Sequence, residues 1–300
     1  MKKISFFLFS VVAITASTKT VAQEFYVRGG GGYSMESGRT EFNSADPNGL
    51  TMIQQSKDIT INPDGSANVK SLNGTLGSGY KANLTFGYMF NPYIGAEIGF
   101  NYFTGDEKTI GKLTSPLMQS EAKAHLQGLD VMPALYLTPA FAKLNPYARI
   151  GVLIPTVGKL FIDSNAYAPD AGGPDVDVNV RARTEVEAKF SLGYAGALGV
   201  TYPIGTRLHV FGEVEFKNLS IKSKSAEIKE YETTAITPGG TVFVPGQQLA
   251  DLPMNETHFE FSDEFTQGAP DPDSARKIPT QFVNASGVGL NFGVRYSFGK

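Results

Sequence analysis

The chain has 300 residues, of which 18% are charged, a formal net charge of −3 and no cysteine. The lack of cysteine excludes a disulfide framework and a thiolate metal site. The slightly acidic balance gives no basic patch for nucleic acid, which we do not expect as a partner. The 33 glycines, 21 phenylalanines and 13 tyrosines favour a β-rich chain.

The first 22 residues have the pattern of an export signal. Lys2 and Lys3 give a positive start, residues 4–16 are uncharged and mainly apolar, and small residues end at Ala22. About 13 apolar residues are too few for a membrane helix, which needs roughly 20. We therefore predict a cleaved signal peptide over residues 1–22 and one mature domain over residues 23–300.

Eight segments of the mature chain alternate apolar and polar residues, as strands with one apolar face do. In the last of them, Leu290, Phe292 and Val294 share one face, while Asn291 and Arg295 share the other. Most approach the 9–11 residues that a tilted membrane strand requires. The segments are 25–33, 82–90, 94–102, 129–137, 147–154, 189–202, 208–216 and 288–298.

The connections between these segments alternate between short and long. The short ones centre on residues 91–92, 139–145 and 203–205, whereas the long ones span 35–77, 105–125, 159–184 and 222–280. Outer-membrane barrels have this organisation, with short periplasmic turns and long extracellular loops. The predicted fold class is all-β: an eight-stranded antiparallel up-and-down transmembrane β-barrel with long extracellular loops.

Two of the long connections contain hairpin patterns of their own. Residues 59–69 and 230–244 each place β-favouring residues on both sides of a Pro- and Gly-containing turn. We predict that both hairpins extend above the membrane. A ten-stranded wall, with one hairpin inserted, is the alternative.

Three stretches carry a resemblance to a known family. Residues 130–136 (DVMPALY) and 145–151 (NPYARIG) resemble the middle of the outer-membrane β-barrel superfamily, which includes OmpX-like and OmpA-transmembrane-type barrels and is often labelled "porin family". Residues 293–300 (GVRYSFGK) are similar to its terminal strand motif, although Gly299 and Lys300 follow the aromatic residue that usually comes last. The resemblance implies that Tyr296 and Phe298 form a signal for the barrel-assembly machinery. It also implies a location in the outer membrane of a Gram-negative bacterium, in contact with outer-membrane lipid.

The faces opposite the apolar ones would line the barrel lumen and carry nearly balanced charge. The interior of an eight-stranded barrel is filled by side chains, and an unpaired buried charge is costly. We therefore predict a charge network that closes the lumen, with a narrow or gated pore as the alternative. The network comprises Arg28, Lys81, Glu97, Asp130, Arg149, Lys189, Glu213, Glu215 and Arg295.

No catalytic or metal site is predicted, and no cofactor. His125, His209 and His258 have no serine at a recognisable nucleophile spacing, so we interpret them as polar loop or lumen residues. Asp175 and Asp177 offer oxygens of the kind that bind calcium, but match no calcium-loop template and indicate a solvated hairpin edge.

The long connections favour a binding function, because loops on a rigid scaffold commonly carry one. The favoured function is a structural and surface-interaction barrel whose loops bind an extracellular protein or another surface ligand. A narrow porin or a conduit for small hydrophobic molecules with a lateral opening is the second hypothesis. A lipid-modifying enzyme is the third.

Overall fold

The computed structural model describes residues 24–42, 56–266, 268–269 and 271–298. The predicted signal peptide lies outside these ranges, as do Gly299 and Lys300. A short α-helix, α1 (Met254–Thr257), and a 3₁₀ turn, Leu249–Asp251, accompany the strands. In chain order the strands of the described residues are β1 (Glu24–Glu36), β2 (Thr40–Glu41), β3 (Lys57–Ile61), β4 (Ala67–Ser71), β5 (Asn73–Gly74), β6 (Gly79–Met89), β7 (Ile94–Gly105), β8 (Lys108–Thr114), β9 (Gln119–Leu137), β10 (Asn145–Ala168), β11 (Asp177–Ala188), β12 (Gly193–Pro203), β13 (Leu208–Asn218), β14 (Ser220–Thr237), β15 (Gly240–Gln248), β16 (His258–Ser262), β17 (Arg276–Pro279), β18 (Phe282–Asn284) and β19 (Gly287–Ser297).

Eight strands of the described chain form a closed antiparallel wall, in the order β1, β6, β7, β9, β10, β12, β13 and β19. The last strand pairs with the first, from Tyr26–Ser297 to Glu36–Gly287, and this pairing closes the barrel. The predicted eight-stranded antiparallel fold is confirmed. Within the described ranges, the hairpins β3–β4 and β14–β15 lie outside the wall.

The wall is apolar on its outer surface. On β12, for example, the outward Tyr194 and Leu198 are 63% exposed, whereas the inward Ala195 and Ala197 are buried. Large exposed apolar side chains recur on all eight wall strands. Such a band is a liability in water but is what a strand that contacts lipid requires. No helix in the described ranges is long and apolar enough to cross a membrane.

Close packing inside the wall depends on small residues in β1. A Cβ atom at Gly30 would lie 2.5 Å from the carbonyl oxygen of Phe292 and 3.0 Å from Cζ of Phe211. The inward-facing glycine therefore leaves the room that the Phe211 ring occupies. At the short-turn end, Asn91 closes the β6–β7 turn, because its Oδ1 accepts hydrogen bonds of 2.9 Å from the amides of Tyr93 and Ile94.

The long connections are largely folded into strands. We call this part the upper layer: the first half of β9, the second half of β10, and β3, β4, β8, β11 and β14–β18. Residues 105–125 and 159–184, predicted as loops, contain β8, the start of β9, the end of β10 and most of β11. Strand alternation continues there, with mainly polar and charged residues facing outward. The inward residues form an apolar core that includes Ala122, Ala124, Leu126, Leu160, Ile162, Val186, Ala226, Ile228 and Phe259.

Candidate functional site

Two arginines and two glutamates form a closed ring across the lumen. Arg28 contacts Glu97 (Nη1–Oε1 3.3 Å) and Glu213 (Nη2–Oε2 2.9 Å). Arg149 contacts the same two carboxylates, with Nε 2.7 Å from Glu97 Oε2 and Nη1 2.9 Å from Glu213 Oε1. The Arg149–Glu97 contact is an ion pair without hydrogen-bond geometry. All four side chains are at most 5% exposed, so each charge depends on its partners in the ring.

Polar and aromatic neighbours complete the ring. The hydroxyl of Tyr26 donates to Glu97 (2.7 Å), and that of Tyr147 donates to Glu213 (2.7 Å). Asn291 Nδ2 donates to Glu213 at 3.1 Å. The guanidinium of Arg28 lies 4.1 Å from the centre of the Phe211 ring. These side chains pack around the ring across the lumen.

Further charges continue the network on both sides of the ring. Towards the upper layer, Lys81 pairs with Glu215, and Asn101 Nδ2 donates to Asp130 at 2.6 Å. Towards the short turns, Arg295 lies over the Tyr26 ring at 3.7 Å, and its Nη2 is 3.8 Å from Glu24 Oε1. The structure thus places eight of the nine residues of the predicted network inside the barrel.

Lys189 is the ninth residue, and the structure places it elsewhere. It lies exposed in the connection between β11 and β12, where its amide donates to the carbonyl oxygen of Lys222 (2.7 Å). The sequence pattern extended the wall strand back to residue 189, whereas β12 begins at Gly193. Lys217 is inside the barrel instead, with Nζ 4.3 Å from the centre of the Phe103 ring. It has the same strand parity as Glu213 and Glu215, and this signal could have identified it.

Above the network lies a cavity of about 300 Å³. Asp130 and Lys217 line it on the side of the charged lumen. Its other inward walls belong to the apolar core of the upper layer. The cavity is also lined by residues that are exposed on the barrel surface. Among them are Val157 and Phe190, which are 72% and 73% exposed. The core residues that line the cavity are Phe103, Leu126, Leu160, Val186, Leu219, Val283 and Ala285.

The cavity lies at an interruption of the wall. Pairing of β10 with β12 ends at Leu153–Gly193, and pairing of β10 with β11 starts at Lys159–Glu187. Residues 154–158 therefore have no ladder partner on this side within the described chain. Ala188, Lys189 and Ser191 contact β14 instead. Pro155 has no amide hydrogen, and a β-bulge separates it from Val157. The bulge lies in the β9–β10 ladder, and the missing pairing is on the other side of β10, beside the cavity.

This interruption lies at the level of an aromatic belt. Val157 is opposite Leu129 on β9, and Leu129 is opposite Tyr102 on β7. Tyr102 is exposed on the outer surface, near the long-connection end of its strand. Aromatic residues at strand ends mark the interface between lipid and water. The interruption therefore faces this interfacial zone.

The remaining sequence candidates lie apart from the cavity and the ring. Tyr296 and Phe298 are exposed on the outer surface at the short-turn end, with ring centres 5.0 Å apart. Asp177 belongs to the hairpin that joins β10 to β11. A hydrogen bond from the Tyr167 hydroxyl (2.5 Å) and a second from the Asp170 amide (3.1 Å) hold the pKa of this carboxyl below its ordinary value. Asp177 is thus already engaged within the hairpin.

The closed antiparallel wall with its apolar outer band defines a transmembrane β-barrel. The chain matches the family model described as "Outer membrane protein beta-barrel domain" over residues 4–239, and it belongs to that family. It is therefore an outer-membrane β-barrel protein.

Two solved structures are similar at low sequence identity. The crystal structure of the outer membrane protein OprG from Pseudomonas aeruginosa matches over 93% of this chain and 97% of that one, with 16% identity and a TM-score of 0.42. The NMR solution structure of the E. coli outer membrane protein W matches over 93% of this chain and 100% of that one, with 17% identity and a TM-score of 0.35. No curated protein matches.

Proposed function

We propose that this barrel binds small apolar molecules in the cavity above its closed lumen and exchanges them with the outer leaflet through the interrupted wall. The observation that carries the proposal is the missing β10 pairing over residues 154–158, directly beside a cavity of about 300 Å³. Concave sites with mainly apolar walls and a few polar groups are typical of small-molecule binding.

The ring in the lumen favours a lateral route over an axial one. A solute that moved along the barrel axis would have to separate buried Arg–Glu pairs, and breaking such a pair costs about 3–5 kcal/mol. A solute that leaves through the interruption meets exposed apolar residues, such as Val157 and Phe190. The lateral route therefore suits an apolar molecule better than the axial one does.

Polar side chains at the lumen end of the cavity indicate which chemical group a ligand would carry there. Lys217 Nζ lies over the Phe103 ring at 4.3 Å, and both residues line the cavity. An ammonium group in such a place can pair with an acidic or hydrogen-bond-accepting group of a ligand. Asp130 lines the same end of the cavity, so an apolar chain with one hydrogen-bonding end group, such as a fatty acid, fits this arrangement.

Photolabelling with a diazirine-bearing fatty acid tests the proposal on the refolded protein in lipid nanodiscs. We expect labelled residues among the inward side chains of the cavity, such as Leu126 and Leu219, in addition to lipid-facing ones. Ile221→Trp fills the cavity and should remove the inward labelling. Leu198→Trp, on the lipid-facing surface, is the matched control and should leave it unchanged. Labelling confined to lipid-facing residues would contradict the proposal.

Surface interaction is the second candidate, and the upper layer favours it. Its apolar core and continuous strands make it a folded platform rather than a set of simple connections. Strand β15 is largely exposed at one end of this layer. Replacing residues 237–247 by Asn-Gly should abolish adhesion of barrel-expressing cells to host matrix while the wall still folds. Unchanged adhesion would exclude β15 as the binding element.

Export and assembly complete the proposed role. We propose that residues 1–22 direct export and that the long connections face the outside of the cell. In this orientation Tyr296 and Phe298 lie at the periplasmic end of the last strand, where the assembly machinery would meet them. Outer-membrane lipid would contact the exposed apolar band.

A further inference from the structure

We propose that a divalent transition-metal ion binds on the outer face of the upper layer, between Glu107, His125 and Asp163. Each of these side chains offers one ligand atom, and the three atoms lie within 4.8 Å of one another. The residues come from three separate segments: the β7–β8 connection, β9 and β10. This site is independent of the cavity and of the lumen ring.

Strand register explains why His125 and Asp163 share a face. His125 of β9 is opposite Phe161 of β10, and Asp163 is two residues further along β10. Residues two apart on a strand point to the same side of the sheet. The His125 ring stacks on Phe161, with ring centres 5.0 Å apart and planes at 18°, and this contact fixes its orientation.

The imidazole of His125 has an unused polar atom. Its Nδ1 is buried and has no hydrogen-bond partner within the described residues. A buried polar atom without a partner is costly, and metal binding is one way in which a histidine nitrogen is satisfied. Coordination through one ring nitrogen would also set the tautomer and let the other nitrogen donate.

The charges around the site favour a cation. Asp163 Oδ1 accepts a 2.6 Å hydrogen bond from Arg183 Nε, which orients the carboxylate and leaves its second oxygen available. Lys123, opposite Asp163 in the ladder, has its Nζ 3.7 Å from Glu121 Oε2. The two carboxylates of the site are thus opposed directly by one guanidinium, which leaves one uncompensated negative charge.

The donor set selects the class of metal. One imidazole with two carboxylates suits zinc and similar transition-metal ions, whereas calcium and magnesium prefer oxygen ligands alone. Bonds of about 2.0–2.2 Å in a tetrahedral site place ligand atoms roughly 3.4 Å apart. The exposed Glu107 side chain can rotate to close this distance. Three protein ligands leave the fourth position to water.

Isothermal titration of the tag-free refolded barrel with ZnCl₂ tests the site. We expect one saturable site, and His125→Ala or Asp163→Asn should weaken it at least tenfold, because even outer-shell changes can cost 10–100-fold. His258→Ala is the matched control, because His258 is also a histidine of the upper layer beside a carboxylate. Its Nε2 lies 3.6 Å from Oε1 of Glu227. We expect no change from this control.

Three results would overturn the proposal. They are no saturable binding by the wild type, wild-type affinity in both site variants, or an equal loss in His258→Ala. A gel-mobility difference between unheated and heated samples verifies that each variant is folded. Asp163→Asn preserves the shape of the side chain, so it serves as the second variant if His125→Ala does not fold.

Discussion

At the residue scale, the buried charges of the lumen depend on one another, so removing one of them leaves others without a partner. Each arginine of the ring contacts both glutamates, so the loss of one carboxylate leaves two guanidinium groups with a single acidic partner. Tyr147 and Asn291 also donate to Glu213. Glu213 therefore contacts more residues of the network than Glu97, the other carboxylate of the ring, does. Loss of its charge would disturb several contacts at once.

Glu213→Gln should destabilise the barrel by about 3–5 kcal/mol, because it leaves buried positive charge without compensation. The measurement is the urea dependence of folding in lipid vesicles. Glu230→Gln is the control: Glu230 Oε1 lies 3.6 Å from Arg183 Nη1 at an exposed position, where an ion pair contributes about 0–1 kcal/mol. Equal destabilisation by the two variants would show that the ring does not carry the stability assigned to it.

The lumen residues were predicted from strand parity, and Lys189 shows where parity stops applying. Arg28, Glu97, Arg149 and Glu213 alternate correctly with their apolar neighbours, because a period of two is set by the backbone alone. Lys189 follows the same parity but precedes the start of β12. Parity holds only within one continuous strand. The point at which the chain leaves the wall depends on bonds to β14, and local pattern does not encode those.

At the element scale, the interruption beside β10 depends on contacts between segments that are distant in sequence. Pro155 is one proline in an apolar segment, and a proline in a strand indicates an edge or a bulge. Whether that bulge opens a cavity depends on the β11–β12 connection, which bonds away from β10 through Lys189 and Ser191. These contacts join residues distant in sequence, so alternation alone could not predict the opening.

Hydrogen exchange should report this interruption. Amides of residues 190–192 should exchange at least tenfold faster than those of residues 195–198, because the latter lie within the β10–β12–β13 ladder. Peptide-resolved deuterium uptake in nanodiscs measures the difference. Equal protection of both segments would mean that the wall is continuous there, and the lateral route would lose its basis.

The last strand has its own test. Phe298 donates its amide to the Phe25 carbonyl (2.8 Å) and contacts Tyr296, so both rings are held on the outer surface near the chain end. If they form the assembly signal, Phe298→Ala should reduce the heat-modifiable, folded fraction in cells several-fold. Phe292→Ala, which removes an equally exposed ring from the same strand, is the control. A similar reduction in both variants would indicate lost lipid contact rather than a lost signal.

At the scale of the whole molecule, the chain combines a closed wall, a charge network across the lumen and a folded upper layer. Sequence predicted the wall, because the alternation of eight segments and of connection lengths reflects backbone geometry and topology. It did not predict that the upper layer shares a core with the cavity. That core assembles residues such as Leu126, Val186 and Phe259, which lie on separate strands. Their contacts follow from the packing of connections, for which no periodic signal exists.

The proposal that the charge network closes the lumen makes a prediction about conductance. Purified wild-type barrel, with insertion verified, should give no stable current steps in a planar bilayer, because the Arg–Glu ring and its aromatic neighbours fill the cross-section. The double variant Arg28→Ala, Glu213→Ala removes one charge of each sign and two large side chains, so it should produce measurable steps without a change in net charge. Leu198→Ala, on the lipid-facing surface, should stay silent. Steady steps from the wild type would show that ions cross the ring, and an axial pore would then replace the lateral route.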